Sequence, residues 1–378
     1  MIENQLSLLG DFTDVRPSDV KTAIEKAQKK GVVVAEDHVF QAAINHLLNE
    51  FKKREDRYSP NTLRRLESAW GCFVEWCLDN KRHSLPASPD TTEKFLIYKA
   101  ESVHRNTLSI YKWAISRVHR VAGCPNPCND VFVEDRYKAL VRVKVQSGEA
   151  IKQASPFNEL HLNALVEKWK QHERVLERRN LALLGVAYES MLRAAELANI
   201  KLSDIELAGD GTAILTIPIT KTNHSGDPDT CILSHDVVGL IMDYIEAGEL
   251  HLKQDGYLFT GVSKHNKCTK PKVDKETGEV TYKPITTKTV EGIFKAAWSE
   301  LELGRQGVKP FTGHSARVGA TQDLLRKGYN TLQIQQSGRW SSEVMVARYG
   351  RAILARESAM AQSRVKTKNI DLSWGSKR

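Results

Sequence analysis

Near the C-terminus of this 378-residue chain one stretch holds side chains that can act together on an anion. It runs Gly313-His314-Ser315-Ala316-Arg317, then Gly338-Arg339-Trp340, then Ala347-Arg348-Tyr349-Gly350. A His and an Arg three apart share one helix face. Arg offers a planar fork that fits two phosphate oxygens, and His is a donor that can also move a proton. A Tyr held beside such a pair is a nucleophile suited to phosphorus. Attack on a phosphodiester builds negative charge on two non-bridging oxygens. Preorganised Arg forks stabilise that charge, and losing one such donor commonly costs roughly 10²–10³ in rate. A phenol ordinarily titrates near ~10, so it needs neighbouring positive charge or a base to become a nucleophile at neutral pH.

Other chemistries find no support in the sequence. There is no G-x-x-x-x-G-K-[ST] loop for a nucleotide and no cluster of carboxylates for a two-metal nuclease. The six cysteines are scattered. Cys72 and Cys77 lie on one expected helix, and Cys124 and Cys128 flank Pro-Asn-Pro. Neither pair meets a second His/Cys cluster of zinc type, so they read as free thiols in a reducing cytoplasm. No apolar run reaches the ~18 residues of a membrane span, and Met1-Ile2-Glu3-Asn4 does not begin a signal peptide. The net charge of +9 and pI of about 9.1 suit a polyanionic partner, and equally suit a merely basic surface. With 41% apolar and 27% charged residues the length fits about two globular domains.

The elements that must position this stretch fall into two groups. Residues 1–38 read as an N-terminal arm, with Ser18 capping a short helix that Gly31 ends. Residues 39–145 read as helical. Phe40, Ala43, Ile44, Leu47, Leu48 and Phe51 follow the spacing of an amphipathic helix. Ser59-Pro60 begins a second, running to about Leu78, with Arg64 and Arg65 on its first turn. Helices are expected over Pro89–Ala100 and Asn106–Val121, the last flanked by Arg105 and carrying Asn106 and Lys112. Basic helices with interleaved aromatics suit a module that lies in a DNA groove. The same pattern fits a bundle whose Lys and Arg face water. The polar stretch 146–156 reads as a linker.

Residues 157–378 are mixed. Helices are expected at 157–172, 178–190, 286–301, 315–327, 331–337, 342–349 and 352–364. Thr212–Ile217 and Thr230–Leu233 read as strands around a turn carrying Lys221, and His235 reads as a helix start. Residues 264–284 hold many lysines and a Lys275-Glu276-Thr277-Gly278 turn, which suggests an exposed hairpin or loop.

Taken in order, these residues resemble the catalytic core of the tyrosine recombinases of the phage integrase family, most of all the Cre-type site-specific recombinases. Met191-Leu192-Arg193-Ala194-Ala195-Glu196-Leu197 resembles the first catalytic arginine box. Lys221-Thr222 resembles the catalytic lysine turn, and Thr287-Lys288-Thr289-Val290-Glu291-Gly292-Ile293-Phe294 a major-groove helix. Ser59 to Cys77 and the Gly148-Glu149…Lys152-Gln153-Ala154 segment are similar too, so the resemblance covers most of residues 40–365. Singly, His314 reads as a structural histidine, Tyr349 as a half-buried core residue and Lys221 as a solvated turn lysine. The ordered set carries the resemblance.

The resemblance implies a multidomain, mostly α protein. It would be a C-shaped clamp around DNA, with a helical, SAM-like core-binding domain and a mixed α/β catalytic domain (157–378). It implies a catalytic set of Arg193, Lys221, His314, Arg317, Trp340 and Tyr349, with Glu196 orienting Arg193 and Lys221 as general acid. Arg64, Arg65, Arg105, Asn106, Lys112 and Lys288 are the candidate DNA contacts. Lys288 stands where Cre-type enzymes place a guanine-reading Arg, and a Lys lacks that fork. The implied partner is double-stranded DNA with an inverted-repeat, lox-like site, bound by a homotetramer. In that tetramer a C-terminal helix, with Ala352-Ile353-Leu354 and Ala359-Met360-Ala361, docks on a neighbour. The same apolar stripe also fits packing within one chain. No metal, nucleotide or other cofactor is implied, and no membrane. A bacterial, phage or plasmid-encoded enzyme of the cytoplasm, associated with the nucleoid, is the expected setting. The alternatives are a type IB topoisomerase-like relaxing activity, a DNA-binding regulator without catalysis, and an integrase with a separate arm-binding domain.

Overall fold

The computed structural model describes residues 15–170, 172–217, 227–252, 255–358, 360–361 and 363. The chain divides into two compact units, Met1–Ile151 and Lys152–Arg378. Among the described residues the first unit is helical: α1 (Pro17–Lys29), α2 (His38–Lys52), α3 (Pro60–Asp79), α4 (Pro89–Ser102), α5 (Arg105–Val121) and α6 (Val131–Gln146). Local chemistry starts these helices. Asp37 accepts the N–H groups of Val39 (2.9 Å) and Phe40 (3.2 Å), and Ser59 and Ser88 accept those of Thr62 and Thr91 at 3.2 and 3.1 Å. Pro60 and Pro89 follow the two serines at the first helical position. Each such cap is worth about 1 kcal/mol.

Aromatic rings fill much of the space between α3, α4 and α5. Phe95 meets Phe73, Trp76 and Tyr111 edge-on at centroid distances of 4.9, 5.5 and 5.4 Å. The described part of the expected arm is not an arm. Val20, Ile24 and Ala27 recur at helical spacing and are fully buried with Phe40, Ala43 and Ile44. Its helix starts at Pro17 rather than at a Ser18 cap, and the Arg16 N–H donates to Asp19 at 3.1 Å.

His119 sits inside this unit with its ring fully buried. Its Nε2 accepts the Ala87 N–H at 2.9 Å, so Nδ1 carries the proton and donates to the Ile115 carbonyl at 2.8 Å. Burial pushes its pKa down to about 4, against a small opposing pull from the Ile115 bond. The unfolded chain protonates this ring near ~6.5, and the gap corresponds to roughly 3 kcal/mol. Because the folded ring binds its proton more weakly, this stability is complete above about pH 6.5 and is lost as pH falls toward 4. Denaturant midpoints at pH 7 and 4.5 test it. The fall between them should be clearly smaller in His119→Leu, and an equal fall would assign the acid sensitivity elsewhere.

In the second unit α7 (Glu159–Trp169) leads to α8 (Val175–Ser190), whose Leu181, Ala182, Leu183, Leu184, Val186 and Ala187 are all buried. A helix apolar on every side belongs at the centre. After the short α9 (Ala194–Ala198) come β1 (Ile205–Leu207), β2 (Ala213–Ile217) and β3 (Asp229–Leu233). They form one antiparallel sheet, with Ile205 opposite Leu215 and Leu215 opposite Cys231. Then follow α10 (His235–Ala247), a ribbon of β4 (Lys272–Val273) and β5 (Val280–Thr281), α11 (Thr287–Glu300), α12 (Ser315–Arg326), α13 (Thr331–Gly338), α14 (Val344–Tyr349) and α15 (Arg351–Arg356). Helices α7, α10 and α12 and strand β3 pack around α8.

β1 was not expected, since three residues are too few to show alternation. The helix expected at 352–364 is interrupted after Arg356 by a turn at Glu357 and Ser358, with residues 360, 361 and 363 helical again, and its Ile353 and Leu354 pack on Leu325, Ile334 and Val346 of the same unit. That half of the apolar stripe is therefore spent within the chain, while Met360 is 67% exposed. Among the described residues no helix is long and apolar enough to cross a membrane.

The chain enters this unit flat against α12. The Phe157 N–H donates to the Ser315 carbonyl at 2.9 Å, and a Cβ at Gly319 would overlap the Phe157 carbonyl. Backbone on both sides leaves nothing to give way. Gly319→Ala is expected to cost about 3 kcal/mol or more. Gly292→Ala, on α11 with open space around it, should instead stabilise by about 0.5–1 kcal/mol. Denaturant midpoints of the two variants test the contrast, and equal shifts would refute it.

Candidate active site

The centre of the site is the place where α8 ends. Met191 takes a left-handed conformation (φ 50°), which breaks the helix and turns the chain so that Arg193 caps α9. The Arg193 N–H donates to Glu196 Oε2 at 2.7 Å and its guanidinium to Oε1 at 2.8 Å. Burial alone would raise the pKa of the Glu196 carboxyl. The two bonds from Arg193, with the charges of Arg193 and Arg317, override it and hold the group below its usual range. A fixed carboxylate thus orients a guanidinium that is about a quarter exposed.

Arg317, in the first turn of α12, is 2% exposed. It donates to the Met191 carbonyl and, at 2.9 Å, to the Gly338 carbonyl. Its guanidinium lies 4.9 Å from the Trp340 ring centroid. Burial, then repulsion from Arg193, lowers its pKa to about 10, so it stays charged at neutral pH. Arg339 adds a third guanidinium. It is left-handed (φ 51°) and donates to the Ser190 carbonyl at 2.5 Å. The charges of Arg193 and Glu196 act on it as they act on Arg317. Three cations around Glu196 make a pocket whose charge is balanced by an arriving anion.

His314 occupies the position before α12, and its N–H bonds the Thr312 hydroxyl at 3.3 Å. Burial and the charge of Arg317 lower its pKa, while Glu291 on α11 pulls the other way. Its imidazole is therefore neutral near pH 7, able to take up a proton. Trp340 packs edge-on against Tyr349, with centroids 5.8 Å apart and planes at 71°. No room remains for a side chain at position 338, where a Cβ would strike the Trp340 ring.

Tyr349 ends α14. Its carbonyl accepts a side-chain amide from Gln322 on α12 at 3.1 Å and one from Gln153 at 3.4 Å. With Lys152, Gln153, Ala154, Thr312, His314, Val318 and Arg348 it lines a cleft of about 440 Å³. Gln322 is not singled out from the sequence, and Gln153 and Arg339 appear there only within longer segments, without a role. A glutamine on a helix carries no signal until its partner is seen, whereas Arg339 lay in view beside Trp340. Lys221 lies outside the described residues.

The structure therefore brings Arg193, Glu196, His314, Arg317, Trp340 and Tyr349 to one place. Lys288 is exposed on the first turn of α11, and Arg64, Arg65 and Asn106 are exposed on the helical unit. Arg105 is already engaged. Its guanidinium donates to the Glu149 carbonyl at 2.5 Å, and its N–H to the Glu149 carboxylate at 3.1 Å. The Lys112 ammonium lies 4.8 Å from the Tyr137 ring centroid.

A pocket formed by the buried Arg317 and the partly exposed Arg193, with a tyrosine on its edge, sits on this mostly helical frame and suits an anionic phosphate. Residues 157–354 match the model of the phage integrase family. The chain belongs to that family, the tyrosine recombinases, which cleave and rejoin DNA by transesterification. It is 29% identical over 322 residues to the recombinase cre of Escherichia phage P1, covering 84% of this chain and 91% of that protein. To an integrase/recombinase xerD homolog of Selenomonas ruminantium it is 24% identical over 309 residues, 79% of this chain and 83% of that one. Its fold is similar to that of XerH site-specific recombinase bound to difH substrate in a pre-cleavage complex. There the TM-score is 0.52 and the identity 14%, over 95% of this chain and 93% of that one.

Proposed function

We propose that this protein is a site-specific recombinase in which Tyr349 attacks a DNA phosphodiester. The attack joins the phenol oxygen to phosphorus and breaks the bond to the 5′-oxygen. A 3′-phosphotyrosyl bond and a free 5′-hydroxyl result. Arg193 and Arg317 hold the non-bridging oxygens, with Glu196 fixing the aim of Arg193. His314 takes the phenol proton or bonds phosphate, and the Trp340 ring N–H is the remaining donor at the pocket wall. Lys221 gives the leaving oxygen its proton. Because the phosphotyrosyl bond retains the energy of the phosphodiester, rejoining requires no nucleotide.

The observation that carries this reading is the packing of Tyr349 against Trp340, which itself faces the buried Arg317 guanidinium. The similarity to cre extends the proposal to an inverted-repeat, lox-like site, a tetramer, and exchange through a Holliday junction. The test begins by footprinting the palindromic DNA that adjoins the gene. The bound site is then nicked next to the cleaved phosphate, so that the freed strand diffuses away and the adduct accumulates. A protein–DNA adduct mapping to Tyr349, together with a released strand whose 5′ end a kinase can label, is expected. A labelled 3′-hydroxyl with a 5′-linked protein would refute the polarity, and relaxation of DNA lacking inverted repeats would favour a topoisomerase.

A further inference from the structure

Two helix C-termini meet at Arg317. Helix α8 ends at Ser190 and α13 at Gly338, and the residue after each is left-handed although neither is glycine: Met191 (φ 50°) and Arg339 (φ 51°). The last carbonyls of a helix have no partner within it, and its negative dipole end favours a cation. Arg317 serves both ends at once, through the carbonyls of Met191 and Gly338. Arg339 ties the same two ends a second time. Its backbone continues from Gly338, and its guanidinium donates at 2.5 Å to the carbonyl of Ser190, the neighbour of Met191. Ser190 is fully buried, so this carbonyl has no solvent to turn to.

A left-handed backbone is disfavoured for every residue with a Cβ, whereas glycine adopts it freely. A bulky side chain kept where glycine would fit points to a use for that side chain. The use is not an ion pair, since among the described residues Arg339 forms none. We infer that Arg339 is a positioning residue for Arg317. By joining the residue beside one Arg317 acceptor to the residue beside the other, it fixes the separation of the two carbonyls that hold the guanidinium, and so the aim of that fork. The inference rests on the proposed attack of Tyr349 on DNA. Glycine at this position would serve the turn but leave the two helix ends tied only through Arg317 itself. The competing role is a direct hold on phosphate, because the charges of Arg193 and Glu196 reach Arg339 as well.

The test compares Arg339→Gly in two backgrounds, the parent and Arg317→Lys, each as the full chain. Lysine keeps the charge at position 317 but has no fork to be aimed. The readout is the single-turnover rate of adduct formation on the nicked, footprinted site at saturating protein. Glycine suits the left-handed turn, and a denaturant midpoint checks that the variant is folded. Arg339→Asn, also at ease in that region and too short to reach Ser190, is the second variant should glycine loosen the turn. In the parent background the rate should fall about 10- to 100-fold, the usual result of misplacing a group that acts on the reacting centre. In the Arg317→Lys background the same change should cost less than about threefold, because the two residues act as one unit. A side chain that gripped phosphate itself, or that merely kept the protein folded, would cost the same factor in both backgrounds. That result overturns the inference, and so does an unchanged rate in the parent background. If the parent forms no adduct on this site, the proposed function fails. If it forms one and the losses are equal in the two backgrounds, only the role of Arg339 fails.

Discussion

Tyr349→Phe is expected to abolish the covalent protein–DNA adduct while leaving DNA affinity within about twofold of the parent. Only the phenol oxygen is removed, and the ring keeps its edge-on contact with Trp340. The Gln322 and Gln153 amides bond the backbone carbonyl of residue 349, not its side chain, so the segment keeps its place. Covalent catalysis through one oxygen has no partial substitute, and the loss should reach the detection limit. An adduct that persists in the Phe variant would show that another group attacks phosphorus. A parallel loss of binding would show that the tyrosine holds DNA rather than cuts it.

Arg317→Ala should have the next largest effect, and a compound one. Loss of a preorganised donor to the transition state commonly costs roughly 10²–10³ in rate. In addition, the buried carbonyls of Met191 and Gly338 lose their partner. Each orphaned acceptor costs about 1–3 kcal/mol, so the variant should unfold at visibly lower denaturant. Arg317→Lys separates the two effects. It restores the charge and one donor, and so part of the stability, but not the fork. Single-turnover cleavage at saturating protein should stay below a hundredth of the parent in both variants, with DNA binding only mildly weakened. Equal losses of binding and cleavage would reduce Arg317 to a backbone contact. Recovery of cleavage in the Lys variant would show that charge alone suffices.

Much of this protein was legible in its chain. The mostly helical architecture and the family follow from amphipathic spacing, Ser-Pro helix starts and the ordered set from Arg193 to Tyr349. Helix starts are local events, decided within about four residues, so a linear reading reaches them. The misreadings share one cause. α1 looked like an arm because its apolar stripe is short, and only the presence of α2 shows what that stripe covers. The C-terminal helix reads as one piece because its composition stays helical past Arg356, and the turn at Glu357 and Ser358 that interrupts it carries no glycine or proline. Half of its apolar stripe is taken up by Leu325, Ile334 and Val346.

The sequence by itself determined which side chains this protein has for phosphoryl transfer and the order in which they occur. What it could not contain is that Arg317 is sealed from water and bonded to a carbonyl 126 residues away. It likewise could not show that Tyr349 is held through its carbonyl by amides from α12 and from the segment before α7. Such contacts form only after two distant segments have been brought together by burial of the apolar residues between them. Their geometry depends on the packed core and leaves no periodicity in the chain.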